Sequence, residues 1–285
     1  MSNRSVGGQA VINGIMFREK ENYSIAIRKE NNQIATKKGK INIFKKYNKI
    51  FFLRGILNLI ETLYLGVKAL NWSAAQIEDD PKKEEKDKSK KPKEKKESPF
   101  LMIFSLTFSI AFAIAIFKIV PFYLTKFLTT QNQYTFSITE GLIKLTIFIL
   151  YIYLISFMKD IKILYQYHGA EHKLINCYEH KEELTVKNIK KYSTLHSRCG
   201  TSFLFLVIFI SIIFYMFIPN TLDTITKIVL RILLLPVIAG VSYEIIKTKK
   251  LNFLSIPGKF IQKITTSEPN EKQIEVAIKA FNILK

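Results

Sequence analysis

Long runs of Ile, Leu and Phe alternate along this chain with stretches dominated by Lys and Asn, and that segregation constrains the fold more than any other feature. A lipid core accepts apolar side chains and rejects charge, so chains that cross it separate the two in this way. Four firm spans are expected, at about residues 100–124, 141–158, 202–218 and 225–246. Each approaches the roughly 20 helical residues that cover a ~30 Å hydrocarbon core. The fold class that follows is mainly α: a polytopic helical membrane protein.

Charge placement orients these spans. The connections at 125–138 and 219–227 carry little Lys or Arg, whereas 77–98, 159–200 and Lys247-Thr-Lys-Lys250 are rich in them. Lys and Arg accumulate on the cytoplasmic side, which puts both termini and 159–200 in the cytoplasm. The formal charge of +20 also raises nucleic acid as a partner. No zinc-finger spacing, RNA-binding aromatic motif or helix-turn-helix pattern accompanies the charge, so nucleic acid is set aside and the bilayer is the expected partner. No apolar run precedes residue 50, so no cleavable signal is expected and insertion relies on internal spans. Cys177 and Cys199 are too few for a disulfide framework and are expected to be reduced.

Seven segments follow. Residues 1–40 read as a small β-rich cytoplasmic region, with Tyr23-Ser-Ile-Ala-Ile-Arg28 and Ile34-Ala-Thr-Lys37 as a β-hairpin. Residues 41–76 hold an amphipathic or re-entrant helix over 51–75. Arg54, Glu61 and Lys68 recur every seven residues there and Asn58 lies one turn from Arg54, so all four share one face opposite a wide apolar one. Residues 77–98 are a charged linker with nothing to bury. Residues 99–158 hold the first two spans, 159–200 the chemically richest segment and 201–246 the last two spans. Residues 247–285 form a cytoplasmic amphipathic segment, in which Asn270 and Gln273 suggest a cap before Ile274, Ala277, Ile278 and Phe281. Within the spans, Glu140 and Lys144 are spaced for a local ion pair.

The densest chemical signal is Tyr167-His-Gly-Ala-Glu-His172. The chain has four histidines, and two of them fall four residues apart with a glutamate between. On a helix His168 and His172 stack on one face and Glu171 borders it, the H-x-x-E-H spacing of an inverted zinc-protease motif with Glu as general base. Glu179, seven residues after His172, would share that face. His196-Ser-Arg-Cys199-Gly-Thr-Ser202 supplies two further ligand candidates, His196 and Cys199. Thiolate with imidazole favours zinc, and a catalytic site keeps one position open for water. Glu244, near the cytoplasmic end of the fourth span, is a candidate distal ligand. His180 falls off the shared face and reads as exposed, and Cys177 as a packed thiol.

Six segments carry a resemblance: Gly7-Gly-Gln-Ala-Val-Ile-Asn-Gly14, Tyr167-His-Gly-Ala-Glu-His172, His196-Ser-Arg-Cys-Gly-Thr-Ser-Phe203, Ser242-Tyr-Glu244, Pro257-Gly-Lys-Phe-Ile-Gln262 and Thr265-Thr-Ser-Glu-Pro269. In these the chain resembles the YqhQ-like bacterial membrane proteins, a family defined by a domain of unknown function and labelled predicted metal-dependent enzymes. The resemblance implies a bacterial inner-membrane protein and supplies no substrate. It has one departure: the family usually carries Glu where this chain has Asn13, and Asn retains only neutral hydrogen bonding. The three glycines of the first segment suggest a tight backbone path beside the site or a plain turn.

The resulting expectation is a zinc-dependent membrane enzyme of hydrolytic type: metal at His168 and His172 with some of Glu179, His196, Cys199 and Glu244, and Glu171 as base. Arg54, Asn58, Glu61 and Arg198 would support it from behind the ligands. The alternative is a non-enzymatic membrane assembly or regulatory protein, with a membrane-protein partner or a second copy, in which the His/Cys cluster is structural. Transport is disfavoured, since the spans lack paired Gly/Pro breaks and midplane carboxylates.

Overall fold

The N-terminal residues build more than a hairpin. In the computed structural model, which describes residues 6–41, 43, 53–78, 99–128, 132–219, 221–248, 253–254 and 256–285, four antiparallel strands run in sequence order. They are β1 (Gly7–Val11), β2 (Gly14–Glu19), β3 (Asn22–Arg28) and β4 (Ile34–Lys40). The expected hairpin is β3–β4, and β1 and β2 extend it. Asn13 sits in the two-residue turn between β1 and β2 at φ 51°, a left-handed position that Asn tolerates better than most side chains. Lys20 plays the same part in the next turn at φ 55°.

Both faces of the sheet are covered. Helix α1 (Leu53–Glu78) places Leu65 and Ala69 against Val11, Met16, Tyr23, Ile25 and Ile27. On the opposite face Ile15, Phe17 and Ala26 pack against helices α5 (Lys159–Glu179) and α11 (Glu271–Leu284). Cross-strand partners obey this split: Ile15 lies opposite Ala26, and Met16 opposite Ile25. A strand buried on both sides loses its apolar–polar alternation, which is why β2 leaves little period-2 signal.

Arg54, Asn58 and Glu61 of α1 turn to protein partners, whereas Lys68 is exposed. Arg54 forms a bidentate pair with Glu244 at 2.6 and 2.7 Å, Asn58 donates to Tyr243 Oη at 3.2 Å, and Glu61 pairs with Arg18. Ile60, Leu63, Tyr64 and Val67 are left exposed. The linker expected at 77–98 lies outside the described residues, except that Ile77 and Glu78 close α1.

Three helical stretches are long and apolar enough to cross a membrane: 22 residues at Thr107–Leu128, 23 at Gln133–Ile155 and 24 at Thr224–Lys247. The first joins α2 (Pro99–Ile114) to α3 (Val120–Leu128) through a π-helical turn, Ala115–Ile119. Pro121 explains that turn, because its ring would clash with the carbonyl of Phe117 in a regular helix. The second stretch is α4 (Gln133–Ile155), and the third is α8 (Thr224–Leu233) running into α9 (Leu235–Lys247). At 202–218, where a fourth span is expected, the chain forms a shorter apolar helix. Helix α7 (Gly200–Tyr215) has 16 residues, a length of about 24 Å at 1.5 Å per residue. Cys199 caps its start and the chain turns after Tyr215, so part of the apolar run is not helical.

A short helix, α6 (Val186–Lys190), follows α5, and α10 (Ile256–Thr265) precedes α11. The Asn270–Gln273 capping box is present at the start of α11. Helix α11 locks onto the sheet through Phe281, whose ring meets Phe17 edge-on at 5.5 Å, and through Ser24 Oγ donating to the Ala280 carbonyl at 2.7 Å. Phe281→Ala should destabilise the protein by about 3–5 kcal/mol through a cavity at this junction. Denaturant or thermal unfolding in detergent checks it; a loss under 1 kcal/mol would mean that the α11–sheet interface is not a stabilising core.

Candidate metal centre

Helix α5 runs unbroken through Gly169, and a close backbone crossing accounts for that residue. A Cβ at Gly169 would collide with the Ser267 carbonyl of the connection between α10 and α11. Ser267 N–H donates to the Tyr165 carbonyl at 2.9 Å, which seats this connection on α5. The crossing leaves the carbonyl of Thr265, the last residue of α10, at His168. His168 Nδ1 donates to it at 2.8 Å.

His172 is oriented the same way from another segment. Its Nδ1 donates to the Thr194 carbonyl at 2.5 Å. The 191–199 loop that supplies this carbonyl is clamped by Gln262 of α10. Gln262 Oε1 accepts from His196 N–H at 2.9 Å, and its Nε2 donates to the His196 carbonyl at 2.8 Å and to Ser202 Oγ at 2.9 Å. Asn176 adds bonds to the Ser193 and Leu195 carbonyls at 2.9 and 3.1 Å. Neither Gln262 nor Asn176 stood out as a site residue in the sequence, since a buried amide has no spacing signature.

With Nδ1 spent on a carbonyl, each imidazole presents Nε2 as its free acceptor. The ring centroids lie 4.4 Å apart. Cys199 Sγ stands 3.2 Å from His168 Nε2, and the ligand atoms of His168, His172 and Cys199 all lie within 4.8 Å of one another. Tetrahedral bonds of about 2.0 Å to nitrogen and 2.3 Å to sulfur would separate such atoms by roughly 3.3–3.5 Å. The donor set could therefore hold one metal ion, drawn in from separations of up to 4.8 Å. Cys199 is also the N-cap of α7, accepting from Thr201 N–H at 3.4 Å, a place where the helix dipole suits an anionic ligand. Burial, against the pull of Cys199, holds His172 below the usual histidine range and favours the neutral ring that a metal requires.

The other expected residues divide into three groups. Glu171 is buried beneath β1, and burial pushes its carboxyl above the usual range despite the nearby His168 and His196. A Cβ at Gly8 would come within 2.6–2.7 Å of the Glu171 side chain, so Gly8 marks where the sheet closes over it. His196 and Glu179 lie beside the three-residue group. The His196 ring is 5.8 Å from that of His172, and its Nε2 meets Glu179 at 3.4 Å. That bond, together with Arg198, holds Glu179 below the usual carboxylate range. Arg54, Asn58, Glu61 and Glu244 are brought together elsewhere, on the α1 interfaces, with Glu244 engaged by Arg54. Asn13 occupies the strained tip of the β1–β2 turn. As expected, His180 is exposed and Cys177 is packed in the core beneath the sheet.

Comparison with known proteins supplies the family. A model described as "Protein of unknown function (DUF1385)" matches residues 50–285. The chain belongs to the DUF1385 family. It is also 39% identical to "Uncharacterized protein YqhQ" of Bacillus subtilis (strain 168), over 98% of this chain and 91% of that protein. No solved structure matches. This DUF1385 member thus carries its His168/His172/Cys199 group where α5 meets the start of α7.

The Gly7–Gly8 pair offers an internal control. Gly8→Ala should destabilise by about 1–3 kcal/mol, because neither β1 nor the buried Glu171 has room to yield. Gly7→Ala, with nothing within 4 Å of its Cβ, should unfold like wild type. Equal melting temperatures for the two variants would remove the sheet–Glu171 contact from the account.

Proposed function

We propose that this protein is a zinc-dependent membrane enzyme of hydrolytic type, with its centre on the cytoplasmic side of the bacterial inner membrane. The observation that carries the reading is the pair of Nδ1-to-carbonyl bonds that turns both imidazoles toward one thiol. Three convergent protein ligands, rather than four, suit a catalytic ion with one open position. When bound, zinc would act as a Lewis acid toward an acyl or phosphoryl oxygen. His168, His172 and Cys199 would hold it, and the carbonyls of Thr265 and Thr194 fix the rings. Glu171, bordering the same helix face, would serve as the base for a water. The hydrogen-bonded His196–Glu179 pair lies alongside, with Arg198 paired to Glu179.

Placement follows from charge. Counting α7 as a fourth, shorter crossing returns the chain to its starting side. Residues 159–200, with their many Lys and Arg, then lie with both termini in the cytoplasm. The apolar outer face of α1, at Ile60, Leu63, Tyr64 and Val67, rests in the interface rather than crossing it, because Arg54 and Glu61 turn to protein partners.

A second reading has its own support. The group links α5 to the start of α7, with α10 behind it, so a bound ion would also brace a non-enzymatic assembly protein. Coordination separates the two: a structural ion has four protein ligands, whereas a catalytic one keeps an exchangeable position.

Elemental analysis of detergent-purified protein should find about one zinc per chain, lost in His168→Ala/His172→Ala. Cobalt-substituted protein should show a sulfur-to-metal band that Cys199→Ser removes and an exchangeable ligand that azide perturbs. No metal in wild type after reconstitution with zinc, manganese and iron would sink both readings; a band insensitive to azide would favour the structural one. Gln262→Leu, which unclamps the 191–199 loop, should weaken zinc binding about 10–100-fold, measured by chelator competition. Unchanged affinity would free the loop from any role in the site.

A further inference from the structure

The opposite end of the bundle holds a second cluster of chemistry-bearing groups. Lys118, on the π-helical turn, and Lys144, on α4, place their Nζ atoms 5.3 and 4.6 Å from the Tyr215 ring centroid, and the Arg231 guanidinium lies 5.1 Å from it. Glu140 is the carboxylate among them. It sits 2.5 Å from Lys144 and 3.0 Å from Arg231, and is only 1% exposed. Lys118 bonds instead to the neutral Tyr215 Oη, at 2.8 Å. Three cations thus surround one anion, an excess of two positive charges among apolar helices, where unmatched charge is expensive.

The cluster opens into a cavity of about 190 Å³. Arg231 lines it, 6% exposed, and among the described residues its Nε has no hydrogen-bond partner. Phe122 and Phe136 hold the guanidinium at 4.8 and 5.1 Å, fixing its direction. Lys126 and Lys227 add two more cations to the lining, with the amides of Asn132 and Gln133 and the hydroxyls of Ser137 and Thr224 as neutral donors. Among the described residues no carboxylate lines the cavity. Excess buried positive charge, an unsatisfied guanidinium and a donor-rich wall share one complement: an oxyanion with several acceptor oxygens.

We propose that this cavity is a binding site for a phosphate group, presented by a phospholipid headgroup or as a free ion. It lies at the far end of α7 from Cys199, about 24 Å away at 1.5 Å per residue, and does not depend on the metal centre. Lys118 stands behind it, bonded from the π-helical turn to Tyr215, which lines the cavity. The bound phosphate offsets the charge that Glu140 alone leaves unbalanced.

The test uses full-length protein in detergent. Native mass spectrometry reads retained phospholipid, and titration with inorganic phosphate against chloride at equal ionic strength reads a melting-temperature rise. Wild type should show retained phospholipid, the phosphate-dependent rise, or both; the first arm alone assigns a lipid headgroup and the second a free ion. Arg231→Gln should lower retention or phosphate affinity at least tenfold, and so should Lys126→Gln/Lys227→Gln, whose residues border the cavity and leave the buried cluster intact should the first variant fail to fold. His168→Ala/His172→Ala should bind phosphate as wild type does. Absence of both signals in folded wild type, or equal binding by wild type and the folded rim variant, would overturn the proposal and indicate that the buried lysines carry no charge.

Discussion

The crossing of the α10–α11 connection over Gly169 is the contact on which the candidate metal centre depends. One backbone segment there does four things. Ser267 seats on Tyr165, the Thr265 carbonyl orients His168, Thr265 Oγ1 lies 3.2 Å from Thr201 Oγ1, and Glu268 pairs with Lys173 at 2.6 Å. A side chain at position 169 would lift that segment and take the carbonyl acceptor away from His168. The helix accepts glycine, at a cost of ~1 kcal/mol relative to alanine, in exchange for ring orientation that no side-chain partner supplies. Local propensity loses to site geometry at this residue.

The crossing also explains why the C-terminal helices belong to the site although they contribute no ligand. Helix α10 brings Gln262 under the His196 backbone, and α11 presses the sheet against α5 through Phe281 and Ala280. The sheet in turn closes over Glu171 at Gly8. Segments at the two ends of the chain therefore meet on opposite sides of one helix. Disturbing either end reaches the histidines through contacts that are already as close as van der Waals radii allow.

How much of this was legible in the sequence depends on the kind of signal. Four-residue spacing of His168 and His172 survives any tertiary context, because a helix of 3.6 residues per turn must stack them. The apolar runs, the α11 cap and the Glu140–Lys144 pair are equally local. Strand β2 was not visible, since burial on both faces erased its alternation, and β1, Gly-Gly-Gln-Ala-Val, carries too few apolar residues to show one. Glu244 was drawn toward the metal by its position at a helix end, but Arg54 lies 190 positions earlier in sequence, and no spacing rule reports that pairing. Gln262 was hidden for the same reason: its partners are backbone groups 66 positions away. The bounds of α7 were shifted rather than its length: the helix starts at Gly200 behind the Cys199 cap and ends at Tyr215, where hydropathy alone suggested 202–218.

That short helix links the two ends of the molecule. At about 24 Å, α7 falls short of a ~30 Å hydrocarbon core. Cys199 stands at its start and Tyr215 at its end, and each belongs to a polar cluster rather than to lipid. A helix bracketed in this way need not span the full apolar thickness, because protein groups satisfy backbone at both of its ends: Thr201 N–H bonds to Cys199 Sγ, and the N–H groups of Phe217 and Ile218 bond to the Phe214 and Tyr215 carbonyls. Polar backbone is tolerated at membrane depth where it is buried in protein or lines a cavity. Lengthening α7 to match the bilayer would carry Cys199 away from His168 or Tyr215 away from the three cations. The distance between the metal centre and the charged cavity, rather than bilayer thickness, therefore sets its length.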